Sequence, residues 1–248
     1  MRRRAFLRLA LAGSPLLLAR CAESPAPDVF FHARPNASRS AMTTPRPERL
    51  GLGTDRDGFF YAPPQPKNAP VLLYLHGATG SGERAIPRLV GFADRTGTIV
   101  VAPDSRDRTW GVVLDDEDAD VQFIDRALNK IFASCAVDAR RIAIGGFSDG
   151  ASAALSWGLL NGDLFCGVAA FSPGFIRLSS APRGLPRVFI SHGTDDPILP
   201  IERCGRRIAR ELKSAGYTVN YREFPGEHTV PPEIRDEGLA WLLGDLAR

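Results

Sequence analysis

The spacing of hydrophobic residues follows a regular alternation from residue 58 onward. Short, continuously apolar runs are typical of strands buried on both faces of a sheet. Between them lie longer segments whose apolar residues recur every three to four positions, which predicts amphipathic helices. The predicted strands are 58–62, 71–76, 98–103, 141–146, 166–172, 187–192 and 217–224, the last alternating as an edge strand does. The predicted helices are 83–96, 116–134, a segment from Asp149, 201–215 and 234–247.

Strands that alternate with helices in this way form a mostly parallel, twisted sheet with helices on both faces. The sequence therefore predicts an α/β fold for residues 55–248. Two stretches near the end of predicted strands, 103–118 and 173–186, have no predicted element. The second is too short to form a large helical lid.

The first 21 residues follow a different pattern, with arginines at the start, an interrupted apolar stretch and then Cys21. This pattern is typical of an export signal and is too short for a membrane-spanning helix. Residues 3–8 (RRAFLR) are similar to a twin-arginine signal. Residues 18–21 (LARC) are similar to a lipoprotein cleavage box that departs from the usual pattern at Arg20. We therefore expect an exported protein, either periplasmic, secreted or anchored to a membrane through a lipid on Cys21.

The segment that follows the export signal, residues 22–54, is rich in proline, serine, alanine and arginine. Its lack of hydrophobic periodicity predicts a linker that is mostly disordered. The expected organisation is an export signal at 1–21, a linker at 22–54 and one folded domain at 55–248. The alternative for the N-terminus is a start codon assigned too early, with Met42 as the true start and a cytoplasmic protein.

The charge distribution argues against a nucleic-acid partner. The chain of 248 residues has a net charge of +3, but residues 1–20 contain five arginines and no acidic residue. The remainder is therefore slightly acidic and lacks the basic surface of a nucleic-acid-binding domain. The 44% hydrophobic and 24% charged content of the whole chain is ordinary for a globular protein with a full core.

The folded domain contains three cysteines, Cys135, Cys166 and Cys204. There is no CxxC pair and no Cys/His pairing at zinc spacing, so no metal site is expected. In an exported protein one disulfide could form. Cys135 and Cys166 are the pair to examine, because each precedes a strand that should neighbour the other. Three buried free thiols are the alternative.

The stretch GFSDG, residues 146–150, lies between a predicted strand and a predicted helix and fits the pattern G-x-S-x-G. In this pattern a tight strand-to-helix turn exposes a serine hydroxyl above the sheet, and glycines allow the backbone segments to approach closely. Ser148 is therefore a candidate nucleophile. Because short matches arise by chance, a plain Gly/Ser loop is the alternative.

A serine nucleophile needs a histidine as base and an acid that orients the histidine. When the order along the chain is serine, acid, histidine, the base must be His192 or His228. His192 precedes the acidic candidates, so we expect His228 to be the base. His76 and His192, each at the end of a strand and before a glycine, are expected to hold loops by hydrogen bonds.

The acid is expected in the loop after the strand 187–192, where Asp195 and Asp196 are adjacent. Their side chains leave the backbone in different directions, so only one of them should face His228. The residues alone do not decide which.

Four motifs in this order resemble the α/β-hydrolase superfamily: LHGATGSG (75–82), GFSDG (146–150), HGTDDPILP (192–200) and GEHTVPPE (226–233). They are most similar to its small serine esterases, the carboxylesterase/phospholipase group and the polyhydroxybutyrate depolymerase or feruloyl esterase-like group. The resemblance extends over residues 57–247.

The resemblance implies an α/β-hydrolase fold without a large lid domain, and a triad of Ser148, Asp196 and His228. Asp196 is the acid because it matches the D of H-G-x-x-D-x-x-V-P, although this chain has Leu199 at the V position.

The resemblance also implies an oxyanion hole, in which backbone N–H groups stabilise developing negative charge. Asp149 follows the nucleophile and supplies one N–H, and Ala78 supplies the second, with Thr79 as the alternative. The carboxylate of Asp149 beside the hole would disfavour anionic substrates. Trp110 either lines an acyl or aromatic pocket or packs in the core.

We therefore expect a serine hydrolase that cleaves carboxylic esters through an acyl-enzyme, acting on small-molecule esters with short acyl or aryl groups. No cofactor or metal is implied. An acyltransferase with the same triad is one alternative. A catalytically silent binding protein on the same fold is another.

Overall fold

The computed structural model describes residues 29–35, 42–53, 55–64, 68–116 and 118–244. The predicted export signal, including Cys21, lies outside these ranges. The strands are β1 (Glu48–Arg49), β2 (Gly58–Tyr61), β3 (Ala69–Leu75), β4 (Ile99–Pro103), β5 (Val137–Phe147), β6 (Gly167–Phe171), β7 (Arg187–Gly193) and β8 (Val219–Phe224). The helices are α1 (Gly82–Ala85), α2 (Pro87–Thr96), α3 (Gly111–Leu114), α4 (Asp118–Ser134), α5 (Asp149–Leu160), α6 (Gly205–Ser214) and α7 (Pro232–Leu243).

The strands of the described chain form one sheet in the order β1-β2-β4-β3-β5-β6-β7-β8. All pairs from β4 to β8 are parallel, and β2 pairs antiparallel with both β1 and β4. Helices cover both faces, because one hydrophobic cluster includes residues of α4, α5 and α6 and the other includes residues of α2 and α7. The predicted fold, a mostly parallel sheet between two layers of helices, is confirmed.

Each predicted strand and helix is present, with differences at the ends and at one proline. The helix predicted at 83–96 is divided into α1 and α2, with Pro87 at the first position of α2. Proline is favoured there because its missing N–H would have no partner in the first turn. The short elements β1 and α3 were not predicted.

The structure corrects the prediction of a disordered linker for residues 29–35 and 42–53, while the rest of the stretch 22–54 lies outside the described residues. Val29, Phe31 and Ala33 are buried in the main hydrophobic cluster or beside it, and the Phe31 N–H donates to Oδ1 of Asn161 at 2.8 Å. The strand β1 adds to the sheet edge. The apolar residues at 29, 31 and 33 alternate as a strand's do, but this pattern was too short to stand out from its polar surroundings.

The stretch 103–118 packs inward and does not form a lid. Ser105, Thr109 and Trp110 are buried. The carboxylate of Asp120, at the start of α4, accepts hydrogen bonds from the N–H groups of Arg106 at 2.7 Å and Gly111 at 2.6 Å. The stretch is therefore anchored to the core at the carboxyl edge of the sheet, where ligands bind in open α/β folds, and it adds no large lid there.

The three cysteines of the domain are free thiols, so the disulfide considered for Cys135 and Cys166 is not formed. Burial raises the pKa of the Cys135 thiol to about 11, which keeps it protonated and unreactive at neutral pH. In the part of the chain that the structure describes, no helix has the length and apolar character needed to cross a membrane.

Candidate active site

Ser148 occupies a sharp turn between the end of β5 and the start of α5. Its backbone has φ 57° and ψ −120°, a conformation that costs free energy for a residue other than glycine. The Ser148 N–H donates to the carbonyl oxygen of Phe171 at 2.9 Å, and this bond ties the turn to the neighbouring strand β6. The chain thus maintains strain at one residue whose side chain projects from the carboxyl edge of the sheet.

The glycines on either side of Ser148 are required by close backbone contacts. A Cβ at Gly146 would lie 2.4 Å from the carbonyl oxygen of Gly150, and a Cβ at Gly150 would lie 2.2 Å from that of Leu75. No side chain fits at these distances. The G-x-S-x-G pattern therefore reflects the packing of the turn against β3.

The structure brings Ser148, His228 and Asp196 into one chain of hydrogen bonds. His228 Nε2 lies 2.8 Å from Ser148 Oγ, and His228 Nδ1 lies 2.6 Å from Asp196 Oδ2. In the tautomer protonated at Nδ1, the imidazole donates to the carboxylate and its Nε2 accepts the hydroxyl proton. This arrangement can remove a proton from the serine hydroxyl.

Asp196, the candidate acid, is held in place by the backbone of its own loop. Asp196 Oδ1 accepts hydrogen bonds from the N–H groups of Ile198 at 2.9 Å and Leu199 at 2.8 Å. Burial by itself would raise the pKa of Asp196, but the hydrogen bonds from Leu199, His228 and Ile198 lower it below its ordinary value. The carboxylate is therefore ionised at neutral pH and can stabilise a positively charged His228.

Asp195 and Asp196 have different surroundings despite their adjacent positions. Asp195 is exposed, and its carboxylate contacts only the hydroxyl of Thr194 among the described residues. Asp196 is buried and is the carboxylate that reaches His228. Asp196, the residue that the family motif indicates, is therefore the one that lies beside His228.

The two other histidines of the domain hold loops. His192 Nε2 donates to the carbonyl oxygen of Leu199 at 2.7 Å. His76 Nδ1 donates to the carbonyl oxygen of Gly77 at 2.8 Å, and His76 Nε2 accepts from the Ser105 N–H at 3.1 Å. Burial lowers the pKa of both histidines, so both are neutral at pH 7.

Two of the three candidate oxyanion donors have a free N–H. Neither Ala78 nor Asp149 donates its backbone N–H to an acceptor among the described residues, and Asp149 begins the 12-residue helix α5. The positive end of the helix dipole adds to the donor strength there. The N–H of Thr79 donates to the carbonyl oxygen of Arg108 at 2.7 Å, which removes Thr79 as an alternative.

Of the two roles that the sequence allows for Trp110, the structure shows packing in the core, and Trp110 is not among the residues that line the cavity described below. Its side chain is fully buried, its ring packs edge-on against Trp157, and its Nε1 donates to the carbonyl oxygen of His76 at 2.7 Å. An indole whose only polar group is satisfied in the core has no surface left for a ligand.

A cavity of about 310 Å³ lies beside His228. Its lining comes from the end of β3 and the loop that follows it, from α1, α2 and α7, from the end of β5 and from residues 228–230. The sequence indicated Ala78 and His228 but not the arginines. Arg84 and Arg88 lie four positions apart on the predicted helix 83–96, so the shared face was a usable signal. The lining residues that bear on its chemistry are Tyr74, Ala78, Arg84, Arg88, Phe147 and Arg235.

Within the described ranges, no group of three or more His, Cys, Asp or Glu side chains is arranged to hold a metal ion. Both oxygens of Asp196, the carboxylate of the site, already accept hydrogen bonds. The chemistry that these residues can perform by themselves is proton transfer and nucleophilic attack.

A family model described as Phospholipase/Carboxylesterase matches residues 116–235 of the chain, the part that contains Ser148, Asp196 and His228. Acyl-protein thioesterase 1 of Gibberella zeae is 36% identical over 116 residues, which are 43% of this chain and 48% of that protein. The chain spans about half the length of the curated relatives it matches.

Several solved structures have a similar fold. Esterase 2 of Thermogutta terrifontis, phosphorylated by paraoxon, has a TM-score of 0.63 and 20% identity, covering 82% of this chain and 95% of that chain. Arabidopsis thaliana SOBER1 has a TM-score of 0.60 and 20% identity, covering 70% of this chain and 97% of that chain. These matches confirm the resemblance inferred from the four motifs, and at this level of identity the structures establish the fold.

Proposed function

We propose that this chain, which has the fold of the α/β-hydrolase esterases, is a serine hydrolase that cleaves carboxylic esters. The observation that carries the proposal is the chain of hydrogen bonds of 2.8 and 2.6 Å from Ser148 through His228 to Asp196. The match to the Phospholipase/Carboxylesterase family over residues 116–235 supports a hydrolase of this kind.

In the first half of the reaction, Ser148 Oγ attacks the ester carbonyl while His228 Nε2 takes its proton. Asp196 stabilises the imidazolium that forms. The N–H groups of Ala78 and Asp149 stabilise the oxyanion of the tetrahedral intermediate. His228 then gives its proton to the leaving alcohol, and the acyl group remains on Ser148.

In the second half of the reaction, water attacks the acyl-enzyme and His228 acts first as base and then as acid. An acyltransferase would differ only at this point, because an alcohol would replace water. A thioester would enter the same cycle with a thiol as leaving group. Thioester cleavage is the second candidate, since the 36% identical relative from Gibberella zeae carries the name acyl-protein thioesterase 1.

The proposal is tested by labelling the protein with a fluorophosphonate and locating the adduct by mass spectrometry. We expect one adduct, on Ser148, and no adduct in the Ser148→Ala variant. Unlabelled wild-type protein that is folded would favour the silent binding protein instead. Adding an alcohol acceptor to the esterase assay and measuring transfer products separates hydrolysis from acyl transfer.

The preferred acyl chain is proposed to be short. The stretch 173–186 carries no helix in the structure, and 103–118 packs into the core, so neither provides a cover that would bury a long chain. Each buried CH₂ contributes only about 0.8 kcal/mol. With p-nitrophenyl esters from acetate to palmitate, kcat/KM should not rise toward the long chains. A steady rise, or a jump when micelles form, would contradict the open site.

Export also remains a proposal, supported by the RRAFLR and LARC stretches of the N-terminus. Cell fractionation should find the protein outside the cytoplasm, and replacing Arg3 and Arg4 by lysine should retain it inside. Mass spectrometry of the mature N-terminus would show whether Cys21 carries lipid. A wholly cytosolic protein with an intact N-terminus would contradict export.

A further inference from the structure

The cavity beside His228 has a positively charged lining. Arg84 of α1, Arg88 of α2 and Arg235 of α7 line it, and none of its lining residues is acidic. Arg235 pairs with Asp236, at 2.7 Å. Arg84 and Arg88 form no ion pair with any described residue, and both are exposed. Two arginine charges at the cavity are therefore not neutralised by described acidic partners.

The hydroxyl of Tyr74 in the same lining can also serve as a donor. Tyr74 is 7% exposed, and its hydroxyl makes no hydrogen bond to a described residue. Burial raises the pKa of Tyr74 to about 12, although Arg235 and Arg88 act to lower it, so the phenol is neutral at pH 7 and can donate. Tyr74 and the arginines thus offer donors that match an anion.

The cavity lies on the leaving-group side of the proposed reaction. His228 and Thr229 line it, and His228 Nε2 passes its proton to the leaving oxygen. The part of the substrate that carries this oxygen therefore departs on the histidine's side of Ser148.

We propose that the cavity binds the leaving alcohol part of the ester and selects an anionic substituent on it, a carboxylate or a phosphate-like group. This proposal rests on the proposed esterase function and adds the chemical class of its substrate. Guanidinium groups suit such anions because their planar donors match two oxygens at once.

The carboxylate of Asp149 does not oppose this selection at the cavity. Its Oδ2 accepts a hydrogen bond from the hydroxyl of Thr109 at 2.7 Å, and Asp149 is not among the lining residues. Its repulsion applies to anions placed at the oxyanion hole itself. The anionic substituent is instead expected among Arg84, Arg88 and Arg235.

The test uses two butyrate esters, one of 4-hydroxyphenylacetate and one of 4-hydroxyphenylacetamide. The methylene group insulates the leaving oxygen from the carboxylate or amide, so the two esters differ mainly in charge. We expect kcat/KM to be about tenfold higher for the carboxylate ester, as one charged hydrogen-bonded contact allows. The preference should fall as salt is added, because exposed arginines are screened.

Variants test whether the preference for the carboxylate ester arises from the cavity. In the double variant Arg84→Gln, Arg88→Gln the ratio of the two kcat/KM values should fall close to one. The matched control is Arg210→Gln, which removes an exposed arginine from α6, and it should keep the wild-type ratio. Circular dichroism and the melting temperature check that the variants are folded. A ratio near one in the wild type, or a ratio retained in the double variant, would overturn the proposal.

Three further substrates define the position and kind of the anion. In the pair phenyl succinate and phenyl succinamate the charge lies in the acyl part, and a preference confined to this pair would overturn the assignment to the leaving group. Comparison with the butyrate ester of 4-(phosphonomethyl)phenol shows whether a carboxylate or a phosphate-like group is preferred. If either anionic ester is cleaved faster than the amide ester, the result supports selection of an anionic leaving group by the cavity.

If the proposed esterase function is wrong, the protein will show no Ser148-dependent cleavage of the neutral amide ester. That result is distinct from a failure of the anion preference. The cavity is still testable in that case, by calorimetry of 4-hydroxyphenylacetate with the Ser148→Ala variant. Binding that weakens about tenfold when Arg84 and Arg88 are also replaced would support an anion site, and undetectable binding would overturn it.

Discussion

The nucleophile and its two partners are held in place by different means. Ser148 follows β5, in the interior of the sheet, and 11 of the 12 residues of α5 behind it are buried. Asp196 and His228 lie in loops that follow β7 and β8, the last two strands at one edge. The central position is fixed by packing, whereas the edge positions are fixed by hydrogen bonds within and between their loops.

The two edge loops are bonded to each other through their backbones. The N–H of Thr194 donates to the carbonyl oxygen of Phe224 at 2.9 Å, and the N–H of Asp195 donates to that of Gly226 at 3.0 Å. Close backbone contact excludes a side chain at Gly193, where a Cβ would lie 2.4 Å from the Gly226 oxygen. Changes at the edge should therefore affect catalysis, and changes at the centre should affect stability as well.

The largest effects are expected from the triad itself. Ser148→Ala and His228→Ala should each lower ester hydrolysis by roughly 10⁴-fold or more, because the nucleophile or its base is lost. Asp196→Asn should also lower kcat by roughly 10⁴-fold, because the amide cannot hold the imidazole in the required tautomer. The measurement is kcat/KM with a soluble short-chain ester.

Asp195→Asn is the matched control, since it makes the same change one residue away on an exposed side chain. It should retain nearly full activity. An inactive Asp195→Asn together with an active Asp196→Asn would show that the acid is assigned to the wrong residue. If both variants have the same melting temperature, the loss of activity in Asp196→Asn reflects catalysis and not stability. This is the result expected for a change at the edge of the sheet.

The second prediction concerns Phe31, which supports the central helix from the N-terminal segment. Its ring is fully buried and packs edge-on against Trp157 of α5 and against Phe165. Phe31→Ala should lower the free energy of unfolding by about 4 kcal/mol, measured by urea denaturation. Leu185→Ala, at a side chain that is 70% exposed, should change it little. A stability loss below that of the control would mean that the segment is a linker after all.

The third prediction compares two glycines of helices. A Cβ at Gly150 would lie 2.2 Å from the carbonyl oxygen of Leu75, whereas at Gly91 of α2 the nearest group is the end of the Arg95 side chain at 3.4 Å. Gly150→Ala should therefore cost about 3 kcal/mol and displace Ser148, lowering activity too. Gly91→Ala should stabilise the protein by about 0.5–1 kcal/mol through helix propensity. Equal effects of the two changes on stability would contradict fixation of the centre by packing.

The sequence predicted what is encoded locally and missed what depends on distant contacts. The continuous apolar runs fixed the strands, and the glycines around Ser148 indicated the turn, because each signal lies within a few residues. The burial of Phe31 depends on Trp157 and Asn161, more than a hundred residues away, so a short alternation in a polar segment gave no reason to expect it. Trp110 and the arginine-lined cavity were undecided or missed for the same reason.

The smallest expected effect concerns pH and the two structural histidines, one near the centre and one at the edge. Burial lowers the pKa of His76 and of His192 from the ordinary value of 6.5. Below pH 6.5 the unfolded chain therefore binds more protons than the folded protein, and the free energy of unfolding falls as pH decreases. Asp196, whose pKa is also lowered from 3.8, remains ionised through this range and contributes no loss until the pH is below 3.8.

Urea denaturation between pH 7.5 and 5.0 should show the decline, and His192→Gln should reduce its slope while leaving the contribution of His76. A slope that His192→Gln leaves unchanged would mean that the edge histidine takes up its proton without loss of the fold, and that the edge loops are more open to water than their hydrogen bonds indicate.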